Sequence, residues 1–305
     1  MEKLTFLFAG VIFFLLTNMS FAQQEVNDCV NFYGAGNYQM AIQAGNTAIK
    51  LYPKNFIAYL CLGGSYKEVG EFDLAIKMLK KAEQLAGSKN DLSAVYNELG
   101  VTYARKGDLD NALMYDDRAL TLNRELGDTS AEAANLSNIA GIYQSKGDLD
   151  KALNYYEKSL NLTTSERGRA AIYNNIATIY SDQNNYQKSI EYLKKSVEID
   201  ERVGDYQGTA IYMLNLGNTY REAKNYNSAL SYINEGLNRI KRVGDKYAEA
   251  YGYAYLGLYY RDTGNIKAAK EYLTKAYKLY SSIGANAEAH DALSSLQALN
   301  NQKTK

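Results

Sequence analysis

Side chains that commonly carry chemistry are scarce in this 305-residue chain, which has one histidine, His290, and two cysteines, Cys29 and Cys61. A site built from several imidazoles is excluded, and a thiol nucleophile would have to find its base at the far end of the chain. The two cysteines read as a disulfide or as two buried small side chains, and sequence does not supply the Cα separation that decides between them. Gly34-Ala35-Gly36 lacks the following Gly-Lys-Ser/Thr and the preceding strand of a phosphate cradle, so it reads as a turn. Lys and Arg number 34 against 34 Asp and Glu, which leaves no basic surplus for a nucleic-acid backbone. No catalytic, metal or cofactor constellation emerges, and the chemistry left is hydrogen bonding. Asn138, Asn175 and Asn215 recur at one place of a repeated pattern, and an amide offers both donors and an acceptor to an extended backbone.

The elements that position these amides follow from that pattern. An apolar residue, a small residue, two variable residues and a tyrosine recur as Leu62-Gly63-x-x-Tyr66, Leu99-Gly100-x-x-Tyr103 and Ile139-Ala140-x-x-Tyr143. Ile176-Ala177-x-x-Tyr180, Leu216-Gly217-x-x-Tyr220 and Leu256-Gly257-x-x-Tyr260 continue it, and Cys29 and Phe32 mark a degenerate first copy. Further small residues follow at fixed offsets, such as Ala112 and Ala119 or Ala152 and Ser159. Leu136, Ile139, Ala140 and Tyr143 form the apolar stripe of one helix, Lys146-Gly147-Asp148 ends it and caps the next, and Leu149, Ala152 and Tyr156 continue the stripe. Every segment reads as helical. Most of the 29 tyrosines fall at repeat positions, so they are packing residues rather than an aromatic binding face; Tyr33, Tyr251 and Tyr255 are left where a ligand could meet them.

The pattern resembles the tetratricopeptide repeat family over nearly the whole chain. Units are expected at about 22–55, 56–92, 93–132, 133–169, 170–209, 210–249 and 250–289, with a C-terminal capping helix and tail at 290–305. Spacings of 34, 37 and 40 residues grow in threes from the family's 34, close to added helical turns. The resemblance implies an all-α solenoid of helix-turn-helix repeats forming a right-handed superhelix, with the first helices lining its concave face. It implies a non-catalytic scaffold that binds a peptide or protein segment there. The groove-facing residues carried over by register are Asn97, Arg105, Asn138, Asn174, Asn175, Asn215, Asn218, Arg221, Tyr251 and Arg261. That these amides instead bridge neighbouring helices is the alternative. Cys29 and Cys61 would lie on neighbouring first helices, within reach of a bridge.

Asp116 departs from the pattern, standing where other copies hold Leu79, Tyr156, Leu193, Ile233 and Leu273. A small turn of its helix into solvent is the expectation, because an unpaired buried charge is costly. Pairing with Arg105 or Arg118, or a pocket that raises its pKa, are the alternatives. Residues 1–22 have a short basic start, an apolar run from Leu4 to Leu16 and a Ser20-Phe21-Ala22 end, which read as a secretory signal peptide cleaved between Ala22 and Gln23. An exported protein, periplasmic or secreted, with no membrane span in the mature chain is therefore expected. A second functional reading is a sensory or regulatory component of an exported bacterial signalling system, acting through a separate effector.

Overall fold

The computed structural model describes residues 23–301; the signal peptide read at 1–22 and the tail at 302–305 lie outside the described residues. The described residues form fifteen α-helices and no strand, an all-α array of helix pairs joined by short turns. They divide into two compact units, one ending at Leu162 and the other beginning at Thr163. Unit 1 holds α1 (23–34), α2 (Tyr38–Leu51), α3 (Phe56–Glu68), α4 (Phe72–Leu85), α5 (Lys89–Lys106), α6 (Leu109–Leu126), α7 (Thr129–Ser145) and α8 (Leu149–Leu162). Unit 2 holds α9 (Glu166–Asp182), α10 (Tyr186–Val203), α11 (Tyr206–Glu222), α12 (Tyr226–Val243), α13 (Lys246–Asp262), α14 (Ile266–Ser282) and α15 (Asn286–Asn301). Odd-numbered helices are the first of each pair and even-numbered helices the second. Successive first helices touch, as α3 and α5, α5 and α7, and α11 and α13 do.

The small residues of the repeat exist because the two helices of a pair cross closely. A Cβ on Gly63 would lie 2.5 Å from Leu79, one on Gly217 2.6 Å from Ile233, and one on Gly257 2.6 Å from Leu273. These three facing side chains are fully or almost fully buried, so the close approach locks the pair through its core. Beyond that crossing, tyrosines of the two helices stack in five successive pairs. Tyr103–Tyr115, Tyr143–Tyr155, Tyr180–Tyr192, Tyr220–Tyr232 and Tyr260–Tyr272 have ring centroids 5.4–5.6 Å apart. Their recurrence makes them part of the scaffold.

The growth of the repeat in threes has a simple origin. Helices α6, α10 and α12 each have 18 residues against 14 in α4 and α8. The connection after each long helix is two residues, and after each short one three. One helical turn is gained while one loop residue is lost, so the buried stripe keeps its phase. The first helices gain a turn too. The units counted from sequence start at 93, 133, 170, 210 and 250, whereas α5, α7, α9, α11 and α13 each begin four residues earlier. Ser88, Asp128, Ser165, Asp205 and Asp245 cap these added turns by accepting a backbone N–H three residues on.

Turn chemistry differs between the units at one place. In unit 1 the residue four after the repeat tyrosine is glycine, as at Gly147 with φ 80°. Unit 2 keeps glycine at Gly264 (φ 82°) but puts Asn184 (φ 57°) and Lys224 (φ 60°) at its other two copies, in a conformation that costs a residue bearing a Cβ. The terminal helix also differs from expectation. It begins at Asn286 rather than 290, and its buried face is Ala289, Ala292 and Leu299, while His290 is exposed. His290 stands one position off the helix face that packs.

Candidate binding surface on the first helices

In unit 1 the surface is organised around Asp116, which is fully buried. Its expected escape to solvent does not occur, because its place faces Gly100, whose Cβ would come within 2.7 Å of Oδ2; the missing side chain makes room for the carboxyl. Neither arginine pairs with it: Arg105 is bonded to Glu68, and Arg118 lies over the rings of Tyr96 and Tyr115. Amides satisfy it instead. Asn138 and Asn135 donate to Oδ1 at 3.2 and 3.3 Å, while Oδ2 has no partner. Burial pushes the carboxyl up to about 7, with the two amide N–H groups opposing the rise. The network continues through Asn135, which donates to Asn97 Oδ1 and accepts from Asn123 at 2.6 Å, and Asn123 accepts from Ser93 at 2.5 Å. Asn97 and Asn138 are half-buried and sit on α5 and α7, two adjacent first helices.

Unit 2 builds its surface around a guanidinium. Arg221 was expected as an exposed groove residue, but only 9% of it is accessible, because three partners hold it against the helices. Its Nε donates to Asn218 Oδ1 at 2.9 Å, and its amino groups bond Asp262 and Glu222. Arg261 is exposed and pairs with the same Asp262. An amide chain runs beside it. Asn215 donates to Asn174 Oδ1 at 2.7 Å and accepts from the Tyr251 hydroxyl at 3.1 Å, and Tyr251 bonds Tyr255. Asn174 donates to Asn175 Oδ1 at 3.4 Å, and Asn218 to Glu222 at 3.2 Å. The sequence column of asparagines thus divides, with Asn138 in unit 1 and Asn175 and Asn215 in unit 2. In unit 2 the bond between helices goes through Asn174, the neighbour of the column residue.

At the start of unit 1 the same face is apolar. Val30, Tyr33, Ile57, Leu60, Cys61, Gly64 and Ala94 line an open cleft of about 320 Å³, with Asn97 and Glu98 at its edge. Val30 and Ile57 are each nearly half exposed there. A disulfide joins Cys29 on α1 to Cys61 on α3, with Cα atoms 6.3 Å apart, and fixes the first two helix pairs under this cleft. Beyond it Lys67 is buried between Glu68 and Glu98, and Glu68 also holds Arg105. Burial pushes the Lys67 ammonium down, but the acidic neighbours outweigh it and leave the ammonium above its ordinary value. Among the described residues no cluster of three or more His, Cys, Asp or Glu side chains is arranged to hold a metal, and no helix is long and apolar enough to cross a membrane.

Three members of the unit 1 network, Ser93, Asn123 and Asn135, were not anticipated. The register test that singled out Asp116 also reaches two of them. Asn135 occupies the place of the buried Val95 and Ile172, and Asn123 that of the buried Ile240 and Tyr280. Asp200 shares the place of Asn123 in unit 2 and is likewise buried, with Oδ1 unpartnered and its carboxyl pushed up to about 6 by burial and then by Asp205. Polar residues at apolar register places were the available signal.

A helix-turn-helix array with polar side chains displayed on its first helices defines a repeat scaffold for protein interaction. Family models described as "Tetratricopeptide repeat" match residues 91–165, 168–242 and 250–283, and the chain belongs to the tetratricopeptide repeat family. No curated protein matches it in sequence. Among solved structures it is similar to the apo form of the quorum sensor NprR from B. thuringiensis, at 17% identity and TM-score 0.66, over 91% of this chain and 87% of that one. It is similar to a Rap protein complexed with Competence and Sporulation Factor, at 14% identity and TM-score 0.62, over 92% and 98%. It is also similar to a chain of the APC/C hetero-tetramer Cut9–Hcn1, at 16% identity and TM-score 0.62, over 87% of this chain but about half, 48%, of the other. These likenesses show a shared fold. Tetratricopeptide repeat proteins are in general scaffolds rather than catalysts.

Proposed function

We propose that the protein is an exported scaffold that holds an extended peptide or protein segment on its first-helix face, with its principal seat in unit 1. The observation that carries this reading is the pair Asn97 and Asn138. Each amide spends one end inside the protein, leaving Asn97 Nδ2 and Asn138 Oδ1 without a protein partner on two touching helices. An extended backbone offers both a carbonyl and an N–H and needs a donor and an acceptor to meet them. The apolar cleft beside Asn97 adds a place for an apolar side chain of the same segment. In unit 2 both ends of Asn174, Asn215 and Asn218 are already bonded, and Asn175 keeps an open Nδ2 with no open acceptor beside it among these amides, so that surface has less to offer a ligand. The secretory pattern of residues 1–22 supports export, as does the disulfide, since such bonds persist in oxidising compartments.

Panning the full mature chain against displayed random heptapeptides tests the reading. Binders are expected to lose at least tenfold in affinity on the double substitution N97A/N138A, and less on N175A/N215A. Binders indifferent to N97A/N138A would refute the seat. N-terminal sequencing of the mature protein, expected to begin at Gln23, checks export.

A second reading, a regulatory component of a bacterial signalling system that acts through a separate effector, draws support from the likeness to a quorum sensor and to a Rap protein bound to Competence and Sporulation Factor. A segment captured in unit 1 would then be the signal rather than a client.

A further inference from the structure

The amides of Asn97 and Asn138 could each face either way, and their orientation decides what a ligand meets. One residue removes that freedom. Oδ1 of Asp116 receives two amide contacts, and a carboxylate oxygen can only accept, so Asn138 and Asn135 must both turn Nδ2 toward it. Asn138 then has Oδ1 on its other side. Asn135 has a second N–H, which it gives to Asn97, so Asn97 must turn Oδ1 inward and Nδ2 outward. The remaining bonds agree: Asn135 Oδ1 accepts from Asn123, whose own Oδ1 accepts from Ser93. Protonation at the unpartnered Oδ2 keeps the pattern, because it leaves Oδ1 an acceptor for both amides.

We propose that Asp116 is a positioning residue that sets the polarity of the unit 1 seat, committing Asn97 as hydrogen-bond donor and Asn138 as acceptor toward an extended peptide backbone. This rests on the peptide-binding reading above. The consequence is directional: a bound segment presents a carbonyl to α5 and an N–H to α7, and a segment laid the other way meets like against like. Asp116 itself touches no ligand. Other copies of the repeat place leucine here, at Leu79, Leu193 and Leu273, so D116L is compatible with the fold, while D116N keeps an oxygen acceptor.

The test has a ligand-free arm and a ligand arm. In the free 15N-labelled full chain, the side-chain amide protons of Asn138 are expected to exchange with solvent at least tenfold more slowly than those of Asn97. D116L removes that difference and D116N retains it. Equal exchange in the wild type overturns the orientation whatever any peptide does. For the ligand arm, a panned heptapeptide that requires Asn97 and Asn138 is N-methylated at each backbone nitrogen in turn. One methylation is expected to cost wild type and D116N at least tenfold in affinity, and D116L less than twofold. An undiminished penalty in D116L shows that Asp116 only fills space. A correct exchange pattern with no binder that depends on Asn97 and Asn138 fails the peptide reading itself, and the proposed consequence with it.

Discussion

Units 1 and 2 share one repeat and solve the same problem in opposite ways. Unit 1 buries an acceptor, Asp116, on a second helix and surrounds it with amides that must donate. Unit 2 sets a donor, Arg221, on a first helix and surrounds it with Asn218, Glu222 and Asp262, which accept. The acceptor lacks a countercharge and leaves outward amide groups unspent; the donor has its countercharges and consumes them. On these two surfaces the buried ion thus either leaves polar groups of its neighbours open or consumes them, according to whether charged partners lie within reach. Two close helices tolerate either, provided the facing residue is small or the partners are within reach.

The comparison breaks most easily through pH. The folded-state value of Asp116, about 7 against an ordinary 3.8, means that the folded protein holds this proton more tightly than the unfolded chain does. Its contribution is fully present below about pH 4 and is lost as pH rises through about 7, a loss on the order of 4 kcal/mol by linkage. Asp200 gives unit 2 a smaller change of the same sign, ending near pH 6. Hydrogen exchange resolved by helix should show α5–α7 opening more at pH 8 than at pH 5, with D116N flattening the response. A steeper response in unit 2 would invert the comparison.

Reducing the Cys29–Cys61 bond should cost unit 1 about 3 kcal/mol, from the chain freedom returned to the unfolded state. Exchange in α1–α4 should rise with dithiothreitol while α11–α13 stay unchanged. Removing the donor of unit 2 is a milder blow. R221A strands Asp262 and Glu222, but these are partly exposed and can regain water, so a loss of about 2 kcal/mol, confined to α11–α13, is expected in urea melts. The smallest effect is a gain. K224G relieves a left-handed backbone at a place where unit 1 has glycine, and should raise stability by roughly 0.5–1 kcal/mol. The equivalent glycine in unit 1, Gly147, should lose stability on G147K.

Much of the fold was legible because the repeat places repeat their physics. Gly63, Gly217 and Gly257 announce close crossings, Gly-Asp pairs announce stops and restarts, and the tyrosines stack where the pattern put them. The added turns were half legible: sequence showed growth in threes, but not that each three is a turn gained with a loop residue lost. The site was less legible. Asn138 and Asn97 were singled out by register without their inward partners, and Asn215 and Arg221 were read as groove-facing although neighbours on other helices already hold them. Asp116 was read as turning outward, since sequence does not show that Gly100 makes room for it.

Sequence by itself determined the helices, their pairing and the positions at which a polar residue breaks an apolar register, because these depend on periodicity and on contacts local to one unit. Tertiary structure alone decided which polar groups are spent and which remain for a partner. A hydrogen bond between helices joins residues as far apart as Asn97 and Asn135 or Arg221 and Asp262. Its direction is set by a group elsewhere that can only accept or only donate, and only packing reveals which groups meet.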